Sequence, residues 1–294
     1  MKALLLVVLV LLCAACAPNR TKPSQPAAPT GERDAAVPET SRPQAERYRD
    51  KRDGGPSKPT VDISKLQEPI PKIEPRSRYG NKSPYSVLGK TYTVLAEAGN
   101  YVERGIASWY GNKFHGYMTS SLEPYDMYQF SAAHKSLPLP SYAKVTNLEN
   151  GKSVVVRVND RGPFHENRLI DLSYAAAVRI GVWPKGTGLV EVRVLGPGRA
   201  EAEPTGADGV PEANGQPRIF LQLGAFADRS NALRSVERIE RAGAGRASIV
   251  TTRINHREIH RVRLGPLPDI AAADALAERI ERLGLGTPRV AIDE

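Results

Sequence analysis

The apolar positions of this chain fall into three unlike patterns. Leu4 to Leu12 form an unbroken run of nine behind a basic Lys2. A bilayer-spanning helix needs about 20 apolar residues, so the run reads as the core of an export signal over residues 1–15. From 17 to 75 apolar residues are sparse and aperiodic among Pro, Arg, Lys, Glu, Ser and Asp. Such a stretch buries too little apolar surface to offset the entropy of ordering it, and it predicts a disordered tether, bounded at 16–78. A second aperiodic stretch, rich in Gly, Pro, Ala and Glu, predicts a linker at 197–216.

Two periodic segments remain. In 79–196, β-branched runs at Ala143–Leu148 and Lys152–Val158 flank Asn150-Gly151. That pattern predicts a hairpin with positive φ at both turn residues. The second run breaks at Gly162-Pro163, which places Asp160 in a turn. A short helix is predicted from Ser173 to Ile180, with Ser173 as cap and Gly181 as stop. In 217–294 the pattern gives strand 218–225, helix 231–242 with Leu233, Val236 and Ile239 on one face, and strands 247–253 and 258–264. Helix 271–283, with Leu276, Ile280 and Leu283 on one face, and strand 290–292 complete it. The order βαββαβ predicts a ferredoxin-like sheet with two helices on one side. The fold class is therefore a mainly β domain followed by an α+β domain.

Charge and cysteine usage narrow the setting. The 294 residues carry 41 Lys and Arg against 32 Asp and Glu, a formal charge of +9. For an exported chain the polyanionic neighbours are the cell wall and the membrane surface, not nucleic acid. Both cysteines, Cys13 and Cys16, lie in the signal region, so the mature chain forms no internal disulfide. No Cys cluster or close His pair suggests a metal site, and no phosphate-binding glycine motif suggests a nucleotide cofactor. Ala14-Ala15-Cys16 resembles the lipobox of bacterial lipoproteins, with Cys13 in the place of the usual Leu. That resemblance implies lipid on Cys16. Ala17, with no Asp after the Cys, implies an outer-membrane anchor facing the periplasm.

The stretches GIASWYG (105–111), YDM (125–127), SAAHKSLPLPSYAKVTNLENGKSVVVRVNDRGPF (131–164) and RLIDLSYAAA (168–177) resemble the rare lipoprotein A family. Its core domain is a six-stranded double-psi β-barrel. FLQLGAF (220–226) and HRVRLGPL (260–267) resemble the SPOR domain that ends many members. The resemblance implies an endolytic lytic transglycosylase. Such an enzyme cleaves the bond between N-acetylmuramic acid and N-acetylglucosamine in glycan strands stripped of stem peptides, leaving 1,6-anhydro ends. It implies denuded peptidoglycan as the partner, enrichment at the division septum, and room for contacts with division proteins. The alternative is a septal wall-binding lipoprotein without turnover.

The candidate residues follow from the same motifs. Transglycosylation needs one carboxyl to protonate the leaving oxygen, because the sugar's own 6-hydroxyl is the nucleophile. Asp160 in VNDRGPF is the candidate, and its alternative is a turn residue bonded to local backbone. His134 in SAAHK matches the family's functional His, with a structural His as alternative. Glu123 and Asp126 match acidic positions of the family's site and would stabilise a developing oxocarbenium ion; the alternative is a solvated loop face. Leu122 stands where the family commonly has Gly, so the loop carrying Glu123 is expected to run differently. Trp109, Tyr110 and Tyr125 are candidates for stacking on sugar rings, or else barrel core. Arg161 either contacts sugar or anchors its loop. In the SPOR-like segment Gln222, Arg261 and Arg263 are candidates for a glycan-binding sheet face, or merely solvate it.

Overall fold

A computed structural model describes residues 52–56, 61–196 and 217–293. The export signal, Cys16, most of the predicted tether and the linker at 197–216 lie outside the described residues.

A small hairpin, β1 (Tyr85–Val87) and β2 (Lys90–Tyr92), leads into the first domain. Six strands follow: β3 (Val102–Tyr110), β4 (Ser131–His134), β5 (Ser141–Asn147), β6 (Ser153–Asp160), β7 (Ile170–Ser173) and β8 (Gly188–Leu195). They close into a barrel in the order β3-β7-β4-β6-β5-β8, with β3·β7 and β4·β6 parallel. Alternation explains the core: Val154, Val156 and Val158 of β6 and Ile170 and Leu172 of β7 point inward and are buried. Helix α1 (Tyr174–Ile180) follows β7. Ser173 caps it by accepting from the Ala176 amide, and Gly181 ends it in the left-handed region at φ 75°.

The hairpin between β5 and β6 forms, but its turn differs from the expected one. Gly151 alone has positive φ. Asn150 stays in ordinary backbone and uses its side chain instead: Oδ1 accepts from Lys152 N at 2.9 Å and Nδ2 donates to Ile180 O at 3.1 Å. The turn thereby also holds the end of α1.

The second domain consists of β9 (Arg218–Phe226), α2 (Arg229–Arg241), β10 (Ala247–Ile254), β11 (Arg257–Leu267), α3 (Ile270–Arg282) and β12 (Arg289–Asp293). Its antiparallel sheet runs β10-β11-β9-β12, the ferredoxin-like order. Ala232, Ile239, Ala273, Ala277 and Ile280 of the helices join Ile219, Leu221, Val262 and Leu264 of the sheet in one buried cluster. Leu233 and Leu283, expected on the buried faces, are 44% and 43% exposed. Alanines take those places and let the helices sit close to the sheet. Asp274 of α3 pairs with Arg168 of the barrel at 2.7 Å, and the barrel's Ile106 and Leu189 join the second domain's apolar cluster.

The predicted tether reaches too far along the chain. Residues 61–78, assigned to it, pack on the barrel as a strap. Ile63–Lys65 is a short 3-10 helix capped by Asp62, and Ile63 and Leu66 lie against the barrel core. Glu68 accepts from Val155 N at 2.8 Å, and Ser77 N donates to Leu139 O at 2.9 Å. Asp53 likewise accepts from Gly111 N at 3.0 Å and Lys113 N at 3.1 Å. Polar contacts and a few aperiodic apolar residues, not periodic burial, hold this segment, and composition does not reveal them.

Candidate active site

Asp160 ends β6, where the chain turns out of the barrel. A tight hairpin over Met118–Pro124 lies beside it, closed by Thr119 N to Glu123 O at 2.8 Å and Leu122 N to Thr119 O at 2.9 Å. Leu122 sits at φ 60°. The hairpin therefore keeps the left-handed turn that a Gly would favour, instead of rerouting.

From this hairpin Ser120 gives Asp160 Oδ1 two bonds, from its backbone N at 2.8 Å and its Oγ at 2.7 Å, and Arg161 N adds a third at 2.7 Å. Among the described residues Asp160 Oδ2 accepts none. Burial pushes the Asp160 carboxyl above the ordinary carboxylate range, against the pull of these donors and of the Arg161 charge. One oxygen is thus fixed and the other is left to carry a proton.

Glu123 behaves oppositely. Arg157 donates to it at 2.6 and 3.0 Å and Asn159 Nδ2 at 2.9 Å. The Arg157 bonds hold its carboxyl below the usual range, so Glu123 stays ionised. Arg157 is shared with the strap, donating to Glu74 at 3.0 and 2.9 Å. Glu123, Asp126, Arg157 and Asn159 line a cleft of about 350 Å³ whose other wall includes the strap's Leu66, Gln67 and Pro69. Asp126 Oδ1 accepts from Tyr128 N at 3.0 Å. His115 Nδ1, 3.7 Å from Asp126, accepts from Met127 N at 3.2 Å. Among the described residues no group of three His, Cys, Asp or Glu side chains is placed to hold a metal ion.

Comparison with known proteins places this geometry. A family model described as lytic transglycolase matches residues 102–194, and the SPOR domain model matches 215–287. The endolytic peptidoglycan transglycosylase RlpA of Pseudomonas aeruginosa strain PAO1 is 37% identical over 288 residues, covering 81% of this chain and 83% of that protein. The chain belongs to the RlpA family.

The RlpA of Neisseria meningitidis serogroup A is 40% identical over 202 residues, 67% of this chain and 80% of that protein. The RlpA of Vibrio cholerae is 52% identical over 149 residues, 51% of this chain and 56% of that protein. A crystal structure of the RlpA SPOR domain from Pseudomonas aeruginosa aligns with 29% identity over 25% of this chain and 96% of that one, at a TM-score of 0.24.

Within this RlpA family member the other candidate residues separate. His134 is 2% exposed and both ring nitrogens are engaged. Nδ1 accepts from Ser136 N at 3.2 Å and Leu137 N at 3.0 Å, and Nε2 meets the Tyr101 hydroxyl at 3.0 Å. Burial lowers its pKa to about 3, so it is neutral and ties down the chain after β4. Tyr110 and Tyr125 stack on each other at 4.1 Å and are 7% and 3% exposed. Their faces are covered, so the stacking role expected of them is corrected to core packing. Trp109 is wedged between Trp183 and Tyr174. Arg161 turns its guanidinium away from Asp160, to Gly80 O at 2.7 Å, His134 O at 3.0 Å and Leu137 O at 2.5 Å. It therefore anchors its loop.

On the SPOR sheet Gln222 is the cross-strand partner of Arg263 on one side and Arg289 on the other, so the three share a face. Arg263 donates to both Asp293 oxygens at 2.9 and 2.8 Å, and Arg261 donates to Thr252 Oγ1 at 2.9 Å.

Two site residues escaped the sequence reading. Glu74 sits in the Pro-rich segment with no periodic signal. Asp171 is a single acidic residue between inward-facing Ile170 and Leu172 of β7, and that interruption of an apolar strand was the available sign. Ser108 Oγ donates to its Oδ1. Burial raises its pKa to about 6, opposed by the Ser108 bond and by the charges of Arg168 and Lys135, and reinforced by Asp160.

Proposed function

We propose that this protein is an endolytic peptidoglycan transglycosylase that cuts between N-acetylmuramic acid and N-acetylglucosamine in denuded glycan and leaves 1,6-anhydro ends. The observation that carries this is the Asp160 carboxyl, anchored through Oδ1 by three donors while Oδ2 is unpartnered and proton affinity is raised. Such a group delivers a proton to the leaving glycosidic oxygen. Glu123, kept ionised by Arg157, sits on the same hairpin whose Ser120 grips Asp160 and supplies a fixed negative charge for the developing oxocarbenium ion. The SPOR sheet face around Gln222 and Arg289 binds the same denuded glycan and concentrates the enzyme at the septum. A lipid on Cys16 holds it at the outer membrane.

Digestion of denuded glycan by the purified protein, with products read by mass spectrometry, tests this. Anhydro-muramyl ends are expected from the wild type. Asp160→Asn should lower turnover at least about 100-fold while co-sedimentation with glycan persists. Glycan binding without anhydro ends in the wild type would leave a non-catalytic wall-binding protein.

A further inference from the structure

Asp160 is not the only carboxylate in this part of the barrel whose proton affinity burial raises. In the register of β4, Ala133 lies opposite Asp160 of β6 on one side and Asp171 of β7 on the other. Ser108 of β3 lies opposite Asp171. Residues opposite each other on neighbouring strands project from the same face, so Ser108, Asp171 and Ala133 form one row, and Asp160 meets its end across the register shift between Ala132 and Ala133. The two Asp backbones are two strand spacings apart, about 10 Å. Paired carboxyls that work across a glycosidic bond stand about 5–9.5 Å apart, within reach of two side chains leaning toward each other.

Between them lie only a small side chain and glycine backbone. Ala133 contributes only a methyl group. The turn after Asp160 crosses at Gly162, where a Cβ would stand 3.7 Å from Ala133 Cβ and 3.8 Å from Asp171 Oδ2. Those distances leave room for a methyl group, but Gly162 has φ 143°, a backbone conformation that side chains rarely adopt. The two carboxyls are also held alike. Each has Oδ1 fixed by a serine, Ser120 for Asp160 and Ser108 for Asp171, and among the described residues each has Oδ2 without a partner.

We propose that Asp171 is a second catalytic carboxylate, the base that takes the proton of the attacking 6-hydroxyl, leaving Asp160 to act as acid alone. This rests on the transglycosylase function proposed above. The glycosidic C1–O4 bond breaks and O4 takes its proton from Asp160. The 6-oxygen bonds to C1 and gives its proton to Asp171. The protein ends the cycle with the proton moved from one carboxyl to the other, and exchange with water restores the starting state. The groups facing Asp171 are Ser108, Arg168, Lys135 and Asp160, and a base must be ionised when the 6-hydroxyl attacks.

The test is the pH profile of kcat for the full chain on denuded glycan, in the wild type, Asp171→Asn and Ser108→Ala. The wild type is expected to lose rate as pH falls through about 6, where Asp171 protonates. Asp171→Asn should lower kcat about 100-fold or more and abolish that acidic limb, with KM and co-sedimentation unchanged. Ser108→Ala removes a bond that favours the ionised carboxyl, so its limb should move to higher pH. An Asp171→Asn enzyme with wild-type kcat, or with the limb intact, overturns the proposal. So does a Ser108→Ala limb that stays in place, which decides the matter if Asp171→Asn fails to fold. A wild type that forms no anhydro ends would instead remove the transglycosylase function and this inference with it.

Discussion

Leu122 holds a left-handed turn at φ 60° while 49% exposed. That conformation costs a non-Gly residue about 1–2 kcal/mol, partly offset by the larger unfolded-state entropy of Gly. Leu122→Gly is therefore expected to stabilise the protein by about 0.5–1 kcal/mol, a rise in Tm of about 2 °C; an unchanged or lower melting point would contradict it. His134 gives a pH signature. Unfolded it binds a proton near the usual 6.5, but folded only near 3. Its contribution is complete above pH 6.5 and is lost as pH falls from there toward 3. His134→Ala strands the Ser136 and Leu137 amides, at about 1–3 kcal/mol each, and should flatten the loss of stability between pH 6.5 and 4. Thermal melts across that range check both effects. The motif made His134 legible as important, but the donors that fix its tautomer come from the turn that follows it, which periodicity does not display.

At the scale of elements, strands and helices were legible because burial repeats along them. The β5–β6 hairpin, the Ser173 cap, the Gly181 stop and the whole second domain follow from apolar alternation and turn chemistry. The strap was not legible, since Asp53, Glu68 and Glu74 make their contacts from a polar, Pro-rich stretch with no periodic pattern. Its importance is local: Glu74 of the strap and Glu123 of the hairpin share one Arg157. A double-mutant cycle of Glu74→Gln with Arg157→Lys should return a coupling of about 1 kcal/mol, as expected for a partly buried, doubly bonded pair. A coupling near zero would mean the strap merely lies on the surface. Asp171 was missed for a related reason. The strand pattern marks it as an interruption, and only the register across β4 sets it beside Asp160.

Across the whole molecule, the SPOR domain is docked by Arg168, which donates to Asp274 at 2.9 and 2.7 Å. Arg168 ends the loop that leaves Asp160, so the second domain grips the far end of the site's own exit loop. Its side chain is only 10% exposed, and a charge so covered is costly without its partner. Asp274→Ala is expected to uncouple the two domains, so that calorimetry resolves two transitions where the wild type shows one. A single unshifted transition would contradict this.

The strap also sets a radius. With the chain pinned to the barrel at Asp53, the covalent path from Cys16 to that residue is 37 residues. At no more than about 3.6 Å per residue it spans at most about 130 Å. A path free to residue 79 would have allowed about 230 Å on the same arithmetic. For a protein lipidated at Cys16, the glycan it can cut lies inside that smaller sphere. Lengthening or shortening residues 17–52 would move its edge without touching the site.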